Sequence, residues 1–299
     1  MAANPIKDQF IEALRVAMGN NAIAGEPEEA AKEFAASKQR ANELAAKSDN
    51  SIHYKFVPGI KANTGLSEGY TNDLLDIVDF YKNEFGIVPK VDISMNPNRT
   101  KELGPGVTGF TNVDQNGLGR HEAVFRYLTK AYEDSADEIS RHSAESGLHP
   151  KNSNRAQTPV HELGHDLAFT LFNDTMKPGG TKEVYKKALK DIGVDENDYD
   201  SVYDAVNNIS QYAGLGMSVG MDPKTKKKTF TGPDEQEVLA EAITDYYFNR
   251  NKAADLSKAI VSQLKNKNNR RIYNIRQTGG IGEPSDSFVQ NLKRYNAIQ

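Results

Sequence analysis

The stretch Thr158-Pro-Val-His-Glu-Leu-Gly-His165 decides how the rest of this sequence is interpreted. His161 and His165 are four residues apart, so on a helix their imidazoles lie one turn apart on the same face. That spacing places two nitrogen ligands within reach of a single metal ion. Apolar residues recur here at every third or fourth position, which predicts an amphipathic helix. They are Val160, Leu163, Leu167 and Leu171.

This helix is predicted to begin with Thr158 as its N-cap and Pro159 as its first residue. Glu162 lies between the two histidines, where a carboxylate can accept a proton from a metal-bound water. The combination is the HExxH pattern, which is typical of zinc peptidases. We therefore predict a Zn²⁺ ion bound by His161 and His165, with Glu162 as the general base.

A catalytic zinc needs a third protein ligand and leaves its fourth position to water or substrate. Since the chain contains no cysteine, this ligand is a His, Asp or Glu. A second helix is predicted over 233–248, and Glu237, Glu241 and Asp245 form one column along it. If Glu237 binds the metal, Glu241 can orient a ligating histidine from behind; if Glu241 binds it, Asp245 takes that role. His149 is a rival third ligand.

Four short motifs follow one another between residues 146 and 248. They are Ser146-Gly-Leu-His-Pro150, Thr158-Pro-Val-His-Glu-Leu-Gly-His165, Ile209-Ser-Gln-Tyr-Ala213 and Glu237-Val-Leu-Ala-Glu241. In this order they resemble the gluzincin peptidases of the anthrax-lethal-factor type, and more closely the zincin domain of phage minor head (minor capsid) proteins and related toxins. The resemblance implies that Glu237 is the third zinc ligand and that Tyr212 is a hydroxyl donor near the metal.

The resemblance also implies an α+β fold, in which a small mixed sheet packs with the HExxH helix and a helical segment precedes both. The chain departs from the family in one place. The family places the tyrosine a few residues before the glutamate helix, whereas residues 214–232 intervene here, and Phe230 stands where an ungapped match would want the tyrosine. We predict that this insertion is a hairpin whose turn starts at Asp222-Pro223.

Substrates in this fold class are bound as an added strand, so an edge strand is expected before the zinc helix. The segments 107–111 and 121–127 are candidates, and their spacing predicts a hairpin through 114–117. His121 and Glu122 would point to opposite faces of a strand, so neither is predicted to be a ligand.

Composition limits the partners of this 299-residue chain. It carries 37 basic and 41 acidic side chains, a net charge of −4, and no pervasive basic stripe, which argues against nucleic acid as the main partner. No apolar run reaches membrane-spanning length, and the N-terminus lacks the apolar core of a signal peptide. We expect a peptide or protein substrate. The resemblance adds virion or capsid proteins as partners, with a location in the virion or the host cytoplasm.

Three regions are predicted along the chain: an N-terminal helical segment with a linker (1–66), a zincin-like catalytic domain (67–269) and a C-terminal tail (270–299). Within the first region we expect an amphipathic helix at 4–18, an exposed spacer helix at 26–47 and a linker at 48–66. In the second, further helices are predicted at 70–85, 131–144 and 182–192, and a strand at 88–95.

The leading hypothesis is a zinc metallopeptidase, phage-encoded and virion-associated by resemblance. One alternative is a structural phage head protein that retains a zincin fold without turnover, and another is a toxin-like effector protease. Glu162 favours the enzyme over the structural protein, because a purely structural zinc has no need of a base between its two histidines.

Overall fold

A computed structural model describes residues 27–55, 65–94, 108–112, 121–125, 128–172, 179–225 and 228–277. In these ranges the chain has a mixed α+β architecture. The helices are α1 (Pro27–Lys47), α2 (Glu68–Phe85), α3 (Lys130–Glu145), α4 (Gln157–Phe172), α5 (Gly179–Asp191), α6 (Tyr199–Asn207), α7 (Glu235–Asn249) and α8 (Asp255–Gln277). The strands are β1 (Ile52–Lys55), β2 (Val91–Ser94), β3 (Gly109–Asn112), β4 (His121–Phe125), β5 (Ser218–Met221) and β6 (Lys228–Thr231). The amphipathic helix predicted at 4–18 and the tail beyond 277 lie outside the described residues.

The larger sheet has four strands in the order β1-β2-β4-β3. β1, β2 and β4 run parallel, and β3 pairs with β4 in the antiparallel direction. Central strand β2 is largely buried, as parallel strands usually are. The expected small mixed sheet is therefore confirmed, as is the antiparallel pairing of the two strands that precede the HExxH helix. β3 is the last strand of the sheet on its side.

The helix predicted at 70–85 is present as α2, with signals at both of its ends. The Ser67 side chain accepts a hydrogen bond from the Tyr70 N–H, which caps the first turn. Gly86 adopts a left-handed conformation (φ 68°) and ends the helix. Tyr81 is fully buried, and its hydroxyl donates to the Val160 carbonyl at 3.3 Å, which joins α2 to α4.

The N-terminal part differs from the sequence-based expectation in two respects. Residues 52–55 fall within the predicted linker, yet they form β1 in the sheet, where Ile52 is fully buried. α1, predicted to be an exposed spacer, packs against α2 and β1. Leu44 is fully buried, and the buried Ser37 hydroxyl accepts a hydrogen bond from the Leu66 N–H at 2.7 Å. Ala41 is also buried, and the Arg40 side chain donates to the Leu66 carbonyl at 2.8 Å. Because several of these anchoring residues are small or polar, they do not produce a strong apolar pattern in the sequence.

The start of α4 also differs from the prediction. Asn154 forms the turn before the helix, because its side chain accepts from the Ala156 N–H at 2.9 Å and its carbonyl accepts from the Gln157 N–H at 2.9 Å. Thr158, predicted to be the N-cap, lies inside the helix. Its hydroxyl is 2.9 Å from the Thr108 hydroxyl, a contact beside the edge strand.

α4 packs most extensively against α7, and it also contacts β3 and β4. The two helices approach closely at Gly164, where an added Cβ would lie 3.1 Å from the Ala240 Cα. Behind them, α7 packs on α5 and α8. This close approach brings the HExxH residues of α4 next to the first turns of α7.

The predicted insertion forms a two-stranded antiparallel hairpin of β5 and β6, which confirms the expectation for 214–232. The Asp222 carboxylate accepts hydrogen bonds from the Lys224 and Thr225 N–H groups and so starts the turn. None of the helices in the described ranges is long and apolar enough to cross a membrane.

Candidate metal centre

Three potential ligand atoms converge between α4 and α7. The Nε2 atoms of His161 and His165 are 3.2 Å apart. Glu237 Oε2 lies 3.2 Å from His161 Nε2 and 3.7 Å from His165 Nε2. In the described part of the chain, this is the one group of three or more His, Cys, Asp or Glu side chains whose ligand atoms cluster closely enough to hold a metal ion.

The spacing of these atoms suits a tetrahedral zinc ion. With zinc-to-nitrogen and zinc-to-oxygen bonds of about 2.0–2.1 Å, tetrahedral geometry separates neighbouring ligand atoms by roughly 3.3 Å. The observed separations of 3.2, 3.2 and 3.7 Å lie close to that value. Glu237 Oε2 is buried and makes no hydrogen bond within the described residues, so a cation would satisfy an otherwise unmatched acceptor.

The ionisable side chains of this group shift one another's pKa values. Burial disfavours the charged imidazole of His161, but the carboxylates of Glu237 and Glu241 outweigh it and raise its pKa well above the ordinary value. Burial likewise disfavours the Glu237 carboxylate, but the two imidazoles outweigh it and lower its pKa well below the usual range. Glu237 is therefore ionised at neutral pH and available as an anionic ligand.

Glu241 lies one turn after Glu237 on α7 and is fully buried. Its Oε1 accepts a hydrogen bond from His161 Nδ1 at 2.8 Å, and its Oε2 accepts from the Ser210 hydroxyl at 2.5 Å. Burial would raise the pKa of Glu241, but the hydrogen bonds from His149 and His161 outweigh it and lower the pKa to about 2. A bond to Nδ1 turns Nε2 of His161 toward the Glu237 oxygen, as expected of a residue that supports a metal ligand from behind.

Glu162 projects beside the same cluster and is bound by the edge strand. Thr111 of β3 donates its hydroxyl to Glu162 Oε2 at 2.9 Å. β3 passes very close to α4 here, since a Cβ on Gly109 would lie 2.8 Å from Thr158 Cγ2 and 3.4 Å from Glu162 Cγ. Glycine at this position lets the strand approach the helix closely enough for the Thr111 hydroxyl to bind the Glu162 carboxylate.

Tyr212 lies beside both His161 and His149. Its ring centroid is 5.7 Å from that of His161 and 5.1 Å from that of His149. Burial, together with the negative charges of Glu237, Glu241 and Glu162, raises the pKa of the phenol well above its usual value. The hydroxyl therefore stays protonated and able to donate a hydrogen bond.

The other sequence candidates lie elsewhere. Asp245, predicted as a supporting residue, does not join the cluster, because its oxygens accept from the Asn249 side chain and the Ala254 N–H, both at 2.8 Å. These bonds secure the junction between α7 and α8. His149, the rival third ligand, is not among the three converging residues; its Nδ1 is 3.3 Å from Glu241 Oε1.

Sequence reasoning missed three contributors. The Ser210 hydroxyl binds the buried Glu241 carboxylate, and no pattern in the sequence indicates this contact. Thr111 is expected on the edge strand, but the sequence does not indicate that its hydroxyl binds Glu162. His121 Nδ1 lies 3.0 Å from Asp166 Oδ1, a fully buried carboxylate on α4. Burial raises the pKa of Asp166 to about 6, although His121 opposes the shift. The one sequence feature that could have drawn attention to this pair is that Asp166 directly follows His165.

No family model matches this chain, and comparisons with curated proteins and with solved structures found no match either.

Proposed function

We propose that this protein is a zinc-dependent peptidase whose metal is held by His161, His165 and Glu237. The observation that carries the proposal is the convergence of three ligand atoms at tetrahedral spacing, with a fixed carboxylate beside them. A zinc ion held by these residues would lower the pKa of a bound water toward neutrality and would polarise a carbonyl group. Three protein ligands leave one position for that chemistry.

The residues of the chain have distinct parts in the proposed hydrolysis. Glu162 accepts the proton of the attacking water and later gives it to the leaving amine. Tyr212 donates its phenolic hydrogen to the carbonyl oxygen as negative charge develops there. Glu241 keeps His161 in the tautomer and orientation that presents Nε2.

A peptide substrate fits the edge of the sheet. β3 is the outermost strand on its side, and among the described residues no further strand pairs with it. Its residue Thr111 touches Glu162 directly, so a peptide added alongside β3 would run past the general base. Backbone hydrogen bonds would grip the substrate, and specificity would come from its side chains.

Within this proposal the peptidase is phage-encoded and virion-associated, as the motif resemblance implies. A virion component that keeps the metal without turnover is the competing function. The two differ in what Glu162 does, since a metal that serves only structure needs no base beside it.

The test is Glu162→Gln compared with the parent protein and with Glu145→Gln, which removes an exposed carboxylate on α3. Metal content would be measured by elemental analysis. Cleavage would be followed by mass spectrometry on a proteome-derived peptide mixture and on the protein itself. We expect about one zinc per chain in all three proteins and a loss of cleavage of about 100-fold or more in Glu162→Gln alone.

Equal cleavage by Glu162→Gln and the parent would refute the assigned base. A parent protein that takes up no zinc would refute the metal centre. Zinc without any cleavage would favour the structural virion component.

A further inference from the structure

His149 lies behind the metal centre, where it contacts two residues that the proposed mechanism uses. It belongs to the connection between α3 and α4 and is mostly buried, with 19% of its side chain exposed. Its Nδ1 lies 3.3 Å from Glu241 Oε1, and its ring packs on Tyr212 with a 5.1 Å separation of centroids. Neither contact follows from its place in the sequence, 92 residues before Glu241.

The bond to Glu241 fixes the state of this imidazole. An ionised carboxylate only accepts hydrogen bonds, so His149 Nδ1 must carry the proton and donate it. The Gln157 side-chain amide is also 3.3 Å from the same nitrogen, but the charged carboxylate is the stronger partner.

Glu241 consequently receives two imidazole donors on a single oxygen. His161 donates to Oε1 at 2.8 Å and His149 approaches that same atom, while Ser210 donates to Oε2. A fully buried carboxylate is stable only when its oxygens are well supplied with donors. Removing His149 would leave Glu241 with fewer donors and freer to turn away from His161.

The backbone around His149 also places Tyr212. The Leu148 carbonyl accepts from the Tyr212 N–H at 2.9 Å, and the Gly147 carbonyl accepts from the Gln211 N–H at 2.9 Å. These bonds set the two segments side by side, and the His149 ring then fills the space next to the phenol. The His149 side chain thus contacts both Glu241, which supports a proposed metal ligand, and Tyr212, the proposed hydroxyl donor.

We propose that His149 is a positioning residue, which holds Glu241 through its Nδ1–H and holds Tyr212 through its ring face, and that it is not a metal ligand. This inference rests on the proposed metal centre. The His149 side chain then makes two separate contributions: its N–H affects the metal affinity, and its ring affects the orientation of the Tyr212 phenol.

Three substitutions distinguish these contributions. Asparagine places an amide N–H close to the position of Nδ1 but has no ring, phenylalanine keeps a ring but has no donor, and alanine lacks both. The control is His142→Ala, which removes an exposed histidine from α3. Zinc affinity would be measured by competition with a chelator, and the ligand geometry by the visible spectrum of the Co²⁺-substituted protein.

We expect His149→Ala and His149→Phe to weaken zinc binding about tenfold or more, and His149→Asn to stay near the parent value. The Co²⁺ spectrum of the parent should indicate a four-coordinate ion, and His149→Asn should retain that spectrum. Where cleavage is measurable, His149→Phe should retain more of the parent kcat at saturating zinc than His149→Asn does.

Unchanged zinc affinity in both His149→Ala and His149→Phe would overturn the proposal. So would a change of the Co²⁺ spectrum away from four-coordination in His149→Asn, since that would indicate that His149 is a ligand. Failure of the parent to bind zinc is a separate result and refutes the metal centre itself. Circular dichroism of the metal-free variants identifies any that fail to fold, and His149→Asn is the variant least exposed to that outcome.

Discussion

Gly164→Ala is expected to weaken metal binding, although it touches none of the proposed ligands. Gly164 is the fourth residue of the HExxH motif and faces Ala240 on α7, three residues beyond Glu237. A methyl group there would lie 3.1 Å from the Ala240 Cα and 3.4 Å from its Cβ. Because the nearer atom is backbone, the clash is relieved only if the helices move apart.

The size of the effect follows from these distances. Carbon atoms in contact prefer about 3.5–4.0 Å, so the helices must separate by roughly 0.5 Å. Metal-ligand distances tolerate only about ±0.2 Å, and Glu237 moves with α7. Overpacking costs about 1–3 kcal/mol, whereas alanine gains about 1 kcal/mol in helix propensity over glycine. We expect a loss of 0 to about 2 kcal/mol in the free energy of unfolding without metal, and a decrease in zinc affinity of about 10- to 100-fold.

The assay is chelator competition for zinc, combined with urea unfolding in EDTA. Gly214→Ala is the matched control, because an added Cβ there meets nothing closer than the Gln211 carbonyl at 3.6 Å. Adding Ala240→Gly to Gly164→Ala removes the contact at 3.4 Å but leaves the one at 3.1 Å with the Ala240 Cα, so it should restore little of the affinity. If Gly164→Ala bound zinc as tightly as Gly214→Ala, the close approach of α4 and α7 would not be what sets the ligand spacing.

Two further predictions concern the hydrogen bonds of the centre. Thr111→Val removes the hydroxyl that binds Glu162, so the rate of cleavage should fall about tenfold while the zinc affinity stays constant. Thr111→Ser keeps a hydroxyl and should recover the rate. Equal rates for the valine and serine variants would contradict this prediction. Glu241 has its pKa lowered from 4.5 to about 2 by folding, so its ionised form adds stability that is fully present above about pH 4.5 and is lost as the pH falls toward 2. The free energy of unfolding of the parent, measured by urea unfolding in EDTA, should therefore exceed that of Glu241→Gln by less and less as the pH falls from 4.5 to 2. A difference that does not change with pH would show that the ionised Glu241 carboxylate is not its cause.

Helical periodicity explains why part of the centre could be predicted. His161, Glu162 and His165 occupy two turns of one helix, so their relation depends on local geometry alone. The hairpin at 218–231 was similarly predictable, because Asp222-Pro223 is a local turn signal between two short strands. The prediction of Thr158 as the N-cap of α4 is wrong, however, because the turn formed by Asn154 lies before the apolar pattern on which that prediction was based.

Local periodicity does not determine which of Glu237, Glu241 and Asp245 lies beside the two imidazoles. All three are on one side of α7 by periodicity, which leaves their roles open, and only the motif resemblance favours Glu237 as the ligand. The packing of α4 on α7 separates their roles, because it places Glu237 beside the two Nε2 atoms, buries Glu241 behind His161 and leaves Asp245 to the α7–α8 junction.

The sequence by itself determined the HExxH helix, the acidic helix and the strands before the zinc helix, because each follows from a repeat of two to four residues, and it determined the inserted hairpin through the local turn signal at Asp222-Pro223. Only the tertiary structure decided which carboxylate meets the imidazoles, that Thr111 binds Glu162, and that His149 supports Glu241 and Tyr212 instead of joining the cluster. These relations join residues 51 to 92 positions apart. They depend on distances of a few tenths of an ångström between packed helices, a quantity that residue spacing along the chain does not encode.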